Sequence, residues 1–305
     1  AAEYNVKDGS VEIVAKDGSQ SITQWADKDN NLCVKDGEGK DIRDREDSNI
    51  ILTTKNKDTG ETETTSNTVT ITAENKGDTA NVTLQDVNIK KDEWDNESAA
   101  MTIKGEGDTE IELNGDNTLI SGHYHAGLEK ADDVSKGSLT IKDDLNNDNR
   151  TEKEKDESGY STGGDTGTLK AAGGYDGAGI GGRKKKDGDE SDTCAGTSNI
   201  TITGGKIEAG STHEMIKEYP QTEQGGAGIG GASDYGNATN ITITGNADVS
   251  AAGGYYAAGI GGGEYGIGKD IIITGGEVNA TGGRFSAGIG GGSRGTGSDI
   301  TISGG

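Results

Sequence analysis

Two copies of GAGIGG, at residues 177–182 and 226–231, spell the GxGxxG pattern that lets a backbone close around a pyrophosphate. That chemistry needs a strand before the glycines and a helix after them. Here Gly182 is followed by Arg183-Lys184-Lys185-Lys186-Asp187 and Gly231 by Ala232-Ser233-Asp234-Tyr235-Gly236, and neither run opens an amphipathic helix. Nucleotide binding is rejected on those grounds.

A second group of residues suits recognition. Tyr124, Tyr175, Tyr255, Tyr256 and Phe285 each fall four or five residues before a Leu or Ile of the repeated unit. The three histidines share the same region: His123 and His125 flank Tyr124, and His213 lies in a polar stretch that also holds Met215, Tyr219 and Pro220. Stacked repeats would bring these rings into a ladder with steps of about 4.8 Å. Flat exposed rings are platforms for sugar faces, and tyrosine is favoured at interfaces. Stacked aromatics also simply stabilise a corner. The expected ligand-binding set is Tyr124, Tyr175, His213, Tyr219, Tyr255, Tyr256 and Phe285. As a metal site, two histidines at i and i+2 with a third far away are a poor pattern.

Acidic residues suggest a cation and, less directly, hydrolysis. Asp144, Asn146 and Asp148 alternate as calcium ligands do in a loop, with Glu152 and Glu154 beyond. The glycine expected after Asp148 is missing, and Lys155 stands where the loop pattern wants Glu. Asp187, Asp189 and Asp192 form a vaguer second candidate, and a solvated acidic loop explains either run. Paired carboxylates could serve glycoside hydrolysis, but Asp132-Asp133 and Asp143-Asp144 are adjacent and point apart. No nucleophile–base pair is evident. Pectin hydrolases built on stacked coils resemble one another in NTD, GHG and RIK segments, and none occurs here. No enzymatic activity is expected.

These residues are positioned by a repeat. In the cleanest copy, DIIITGG at 270–276 is followed by EVNATGG at 277–283 and RFSAGIGGG at 284–292. Each segment alternates apolar and polar residues, the signature of a strand with one buried face, and each ends in glycine. Ile271, Ile273, Val278, Ala280, Ala287 and Ile289 are the expected core. From Ile271 the spacing to Val278, Ile289 and Ile300 is 7, 11 and 11 residues, so one coil takes 29. Val82 to Ile111 is also 29, Ile111 to Leu139 is 28 and Ile241 to Ile271 is 30. The pattern predicts an all-β chain: a three-sheet parallel β-helix of about 29 residues per coil. We call the three strands of a coil first, second and third, and number the corner after each likewise.

The phase also locates additions: residues 144–165 at a first corner, 183–197 at a third and 211–224 at a second. Insertions in such repeats build surface and leave the core alone. Residues 1–48 are less regular and are expected to cap the N-terminal end, since an open coil offers an unpaired edge; residues 49–305 form the helix. Outward Thr201, Thr203, Thr242, Thr244, Thr274, Thr301 and Ser303 form a row able to order water, as ice-binding proteins do, but Ile272 interrupts it and threonine suits any exposed strand.

Composition fits a thin core. Of 305 residues 54 are glycine, and apolar residues make up only 29%, too few for a thick globular core but enough for narrow stacked columns. The net charge of −24 repels phosphate backbones and anionic lipid, so nucleic acid and membrane surfaces are excluded as main partners. No apolar run is long enough to span a membrane. Cys33 and Cys194 would sit several coils apart, too far for a bridge. Ala1 does not open a signal peptide, and the sequence stops within a repeat at Ser303-Gly304-Gly305, so the natural protein is expected to continue.

From Asn117-Thr118-Leu119 through HAGLEK, SLTI and GAGIGG to the ITITGG and AGIGGG units, roughly residues 50–305, the chain resembles surface proteins of Gram-positive gut and soil bacteria described as carbohydrate-binding domain-containing. The resemblance implies a right-handed β-helix, display at the cell surface or cell wall, and attachment to polysaccharide or host surfaces. It implies nothing about the ligand from AGIGGG itself, whose residues are core and corner positions. The expectation is a monomeric, non-catalytic extracellular adhesion module for a polysaccharide or host glycoprotein. Capture of a host protein such as immunoglobulin or mucin, and a rigid stalk, are the alternatives.

Overall fold

The computed structural model describes residues 2–144, 166–184, 194–211 and 225–305. It is a parallel β-helix with three stacked sheets. The first sheet has nine strands, from Ala2–Asn5 to Gly297–Ile302, and the second has six, from Asn88–Lys90 to Glu277–Thr281. The third runs from Ile289–Gly290 back to Ser10–Lys16 and continues into the antiparallel strands Ser19–Asp27, Leu32–Cys33 and Arg45–Glu46.

Alternation decides the core. Ile50, Val82, Ile111, Ile141, Ile202, Ile243 and Ile273 are in register on adjacent first-sheet strands and all are buried. Leu169, Ile207 and Val249 do the same in the second sheet, and Leu128, Ile180, Ile229 and Ile260 in the third. Val278, Ala280 and Ile289 of the last coil are partly buried against that core. Outside the first sheet, Thr201, Thr242, Ile272 and Thr301 are in register, and Thr274 donates to Thr244 at 2.9 Å.

Asn199, Asn240, Asp270 and Asp299, each just before a first-sheet isoleucine, have φ between 53° and 58°. The register skips them: Ser198 pairs with Thr239 and Ile200 with Ile241. Asn and Asp tolerate this left-handed geometry best among residues with a side chain, which accounts for the recurring Asn/Asp-Ile. The extra residue bulges the strand as it leaves the third corner.

The N-terminal boundary differs from the expected one. Ala2–Asn5 and Ser10–Lys16 already pair in parallel with Ile50–Thr53 and Val69–Ala73, so the first coil begins at residue 2. Closure falls to the antiparallel strands that follow: Ile22, Cys33 and Ile42 are buried, and Gln24 Nε2 donates to the carbonyls of Asn5 and Gly9. A side chain there satisfies backbone acceptors that would otherwise wait for another coil.

The inferred phase of one coil is also corrected. Ile111 pairs with Ile141, 30 residues on, and Thr109 stands opposite Leu139. Thr109 therefore takes an inward position that Leu139, Ile200 and Ile241 fill in later coils, and its buried hydroxyl finds no partner. Asn117, inward beside Leu169, shows the compensated case. Its amide donates to the carbonyls of Asn114 and Thr168 at 3.1 Å and accepts from Val87 N–H at 2.9 Å.

Lys130 is the largest of the fully buried side chains, at 0% exposure, where Gly182, Gly231 and Gly262 stand in later coils. Its Nζ reaches only the Ser135 carbonyl, at 3.5 Å. Burial pushes its pKa from 10.5 down to about 8.

Two stability predictions follow from these core positions. Thr109→Val removes a buried unpaired hydroxyl at nearly constant shape and should raise unfolding free energy by about 1 kcal/mol in denaturant titration. Lys130→Met should stabilise by roughly 3 kcal/mol below pH 8, where the folded state must bury the charged amine. The unfolded lysine binds its proton up to pH 10.5, so the gain over wild type should shrink between pH 8 and 10.5 as the native penalty disappears. A gain that is flat across that window would contradict this assignment.

Candidate ligand-binding face

From Leu128 onward the third-sheet strands shorten to two residues, Leu128–Glu129 and then the Ile-Gly pairs, where Val69–Ala73 and Met101–Gly105 had five. At Leu128–Glu129 the Glu129 carboxylate closes the turn by accepting from the Ala126 N–H at 3.2 Å, and in the later coils the AGIGG unit closes it. The alanine N–H bonds across the isoleucine to a glycine carbonyl four residues on: Ala227 to Gly231 and Ala258 to Gly262, both at 2.9 Å. The glycine after the isoleucine has φ near 140° (Gly230 145°, Gly261 139°). A Cβ on Gly261 would lie 1.8 Å from the Gly290 carbonyl oxygen, so no other residue fits.

This tight loop turns the isoleucine inward and folds the second and third corners against each other. Carbonyls of Tyr124, Asp176 and Tyr256 at the second corner accept from the N–H groups of Lys184, Ser233 and Ser293 at the third corner of the next coil, at 2.9 Å each. Side chains ten residues apart in sequence thereby share one outer face.

The expected single ladder is two clusters. In the first, Trp94, His123 and Tyr175 stack, with centroids 5.5 and 5.0 Å apart and interplanar angles of 25° and 9°. Tyr124 does not stack with Tyr175: it meets His123 edge-on at 4.1 Å and is covered by Lys184 Nζ 5.6 Å from its ring centre. The physical reason is the one-residue offset. Tyr175 lies five residues before its isoleucine and Tyr124 four, so they belong to neighbouring columns, and Tyr124 adopts φ 71°. In the second cluster Tyr255 and Tyr256 are T-shaped at 4.5 Å, and Phe285 follows on the next coil, 74% exposed. Between the clusters lies the coil carrying Gln224 and Gly225 where the others carry rings. His213 and Tyr219 lie outside the described residues.

Sequence reasoning missed Trp94, Tyr235 and Tyr265. Tyr235 and Tyr265 stack at 4.9 Å and 14°, and Arg294 follows in the same column with its guanidinium 5.5 Å from the Tyr265 ring. The signal was present: all three lie six residues before an isoleucine of the first sheet, Ile241, Ile271 and Ile300. Trp94 was hidden because its corner is longer, seven residues from Met101. Between the two columns of the last coils runs a groove of about 410 Å³ lined by Tyr256, Glu264, Phe285, Ser293 and Arg294. Glu264 is held above the usual carboxylate range by burial and by Asp234, its in-register neighbour, against the opposing pull of Arg294. A larger groove of about 600 Å³ near the cap is lined by Glu46, Asp47, Asp78 and small or polar residues, with no ring to hold a ligand face.

Beneath the first cluster lies a polar network. His125 Nδ1 meets Glu129 Oε2 at 2.7 Å and its Nε2 meets the Asn96 carbonyl at 3.2 Å, so both ring nitrogens are engaged. Burial opposes protonation of His125, but Glu129 outweighs it and raises the pKa. Arg183 bridges Glu129 and Asp133, and the fully buried Asp176 binds Lys184 at 3.0 Å and the Ser233 hydroxyl at 2.5 Å. Arg183 and Lys184 thus tie down one end of the third-corner stretch expected at 183–197. At its other end Thr197 opens the strand Thr197–Ile202 and is fully buried.

Of the calcium candidates, Asp144 gives its N–H to Glu112 Oε1 at 2.6 Å, while Asn146 and Asp148 lie outside the described residues. Burial, with Asp143 and Asp144 adding, pushes Glu112 up to about 8, and its Oε2 has no hydrogen-bond partner. Among the described residues no group of three His, Cys, Asp or Glu is placed to hold a metal ion, and no helix is long and apolar enough to cross a membrane. In comparison with known proteins the chain matches no family model, no curated sequence and no solved structure.

Because the groove rests on close backbone packing, Gly261→Ala should cost about 2 kcal/mol or more in unfolding free energy. Gly37→Ala, which meets open space, should stay within about 0.5 kcal/mol of wild type in the same titration.

Proposed function

We propose that this chain is a non-catalytic extracellular binding module of a bacterial surface protein, and that its ligand is a polysaccharide or the glycan of a host glycoprotein. The observation that carries this reading is the exposed ring of Phe285, with the half-buried Tyr255 and Tyr256 behind it, beside a groove with polar walls. Ring faces bury the apolar faces of sugars, and the carboxylate, hydroxyl and guanidinium of Glu264, Ser293 and Arg294 supply hydrogen bonds to ring hydroxyls. The groove volume lies within the range of about 300–1,000 Å³ common for small-ligand clefts.

The stalk reading has its own support in the nine-stranded sheet, which stacks coil on coil along one direction. Binding separates the two. On a glycan array and in a pull-down from host fluid, the wild type should retain glycans and return them uncleaved. Tyr255→Ala, Tyr256→Ala and Phe285→Ala together should weaken retention by about tenfold or more, at about 1–3 kcal/mol for an exposed ring platform. Retention unchanged in the triple variant would remove this face from consideration. Absence of any bound glycan or protein would leave the stalk, and a shortened glycan would overturn the non-catalytic reading.

A further inference from the structure

Arg284 and Arg294 are held by neutral groups at the ligand-bearing corners; Arg43, near the N-terminal cap, is the other described arginine so held, by Asn31 and the Trp25 ring. Arg45 and Arg183 are spent on Asp36 and Asp133, each at 2.7 Å. Among the described residues, Arg284 and Arg294 form no ion pair within 4 Å. Each donates Nη1 to a tyrosine hydroxyl of the preceding coil instead: Arg284 to Tyr255 at 2.7 Å and Arg294 to Tyr265. Each guanidinium also lies over a ring, Arg284 at 4.9 Å from the Phe285 centre and Arg294 at 5.5 Å from that of Tyr265.

Two exposed cations on one coil are thus held by neutral partners, on a molecule of net charge −24 that has carboxylates to spare. A guanidinium has five N–H donors in a rigid fork, and one tyrosine hydroxyl occupies a fraction of them. Arg294 lines the groove with Tyr256, Glu264, Phe285 and Ser293, and Arg284 lies over Phe285, one of its walls. We infer that the second- and third-corner columns of the last coil form a subsite for a carboxylate-bearing sugar at the end of a glycan, its ring against Phe285 and Tyr256 and its carboxylate on Arg284 or Arg294.

This rests on the glycan-binding reading and narrows it. The acidic surface sets the further limit that the charge be isolated. At physiological salt a charge is felt over about 8 Å. A single carboxylate inside the groove meets the arginines first, whereas a polymer charged at every residue would carry its further carboxylates onto a molecule of net charge −24. Glu264 reinforces the choice, because its own carboxylate repels an acid placed toward the coil before.

The test is titration calorimetry of the intact chain with sialyllactose, its methyl ester and lactose, with a glucuronic-acid-terminated disaccharide as a second acidic arm and polygalacturonate as the polymer. At least one terminal acid should bind about tenfold or more tighter than its ester or neutral parent, and lose that preference at high salt. Which acidic arm does so identifies the sugar. Polygalacturonate should bind more weakly than the best terminal acid. Arg284→Gln with Arg294→Gln should bring the acid-to-ester affinity ratio down to about one, and the paired lysine variant should recover part of it. Equal binding of acid and ester, a preference that survives in the glutamine variant, or tighter binding of the polymer overturns the assignment yet leaves glycan binding standing. If none of these sugars binds, the assignment falls, and the array decides whether the wider reading falls with it. The acid–ester comparison uses wild type alone, so it holds even if a variant misfolds.

Discussion

Close backbone packing at the third sheet is the constraint on which the rest depends. At Gly181, Gly230 and Gly261 a Cβ would lie 2.2, 1.9 and 1.8 Å from the next coil's carbonyl. In the Ile-Gly coils the residue after the isoleucine carries no side chain, and the strand there has two residues where earlier coils have five. That contraction brings the second and third corners into hydrogen-bonding range. What looks like a loose run of glycines is therefore the part of the coil with least freedom of composition, and the ligand-bearing columns inherit their spacing from it.

The core tolerates polar side chains only where their bonds are completed. Asn117 sits inward with its amide fully engaged and joins two coils. Thr109, Lys130 and Glu112 sit in similar depth with groups unpaired or displaced in pKa. All three belong to the coils that precede the regular AGIGG units, where a pure aliphatic column gives way to mixed composition. A narrow core of stacked columns localises such costs, since a poor residue disturbs its two neighbouring coils and no others.

Much of the fold was legible because inward positions repeat at fixed spacing. Ile241, Ile271 and Ile300 are in register as their spacing implied. The phase slipped between Ile111 and Leu139 because an inward threonine broke the aliphatic column, and letter spacing alone preferred the nearer apolar residue. The binding face was less legible for a geometric reason. Rings four and five residues before an isoleucine look equivalent in one dimension, yet the position four before it is left-handed at Tyr124 and Phe285, which sends the two to different columns. Tyr235, Tyr265 and Arg294 escaped notice because they belong in sequence to one corner and in space to the face shared with another. Cross-corner hydrogen bonds, which no linear spacing records, are what join them.

The three sheets do not grip adjacent coils equally. Between the last two coils the third sheet contributes two residue pairs, Ile260 with Ile289 and Gly261 with Gly290, while the first sheet contributes five and the second five. Backbone bonds outside the ladder make up the difference: between the same two coils Gly259 N–H bonds to the Ala287 carbonyl, Gly262 N–H to that of Gly290 and Ser293 N–H to that of Tyr256. Tension along the stack is therefore carried on this wall by single bonds spread around a turn, where the other two walls carry it on paired ladders. The rings ride on that turn.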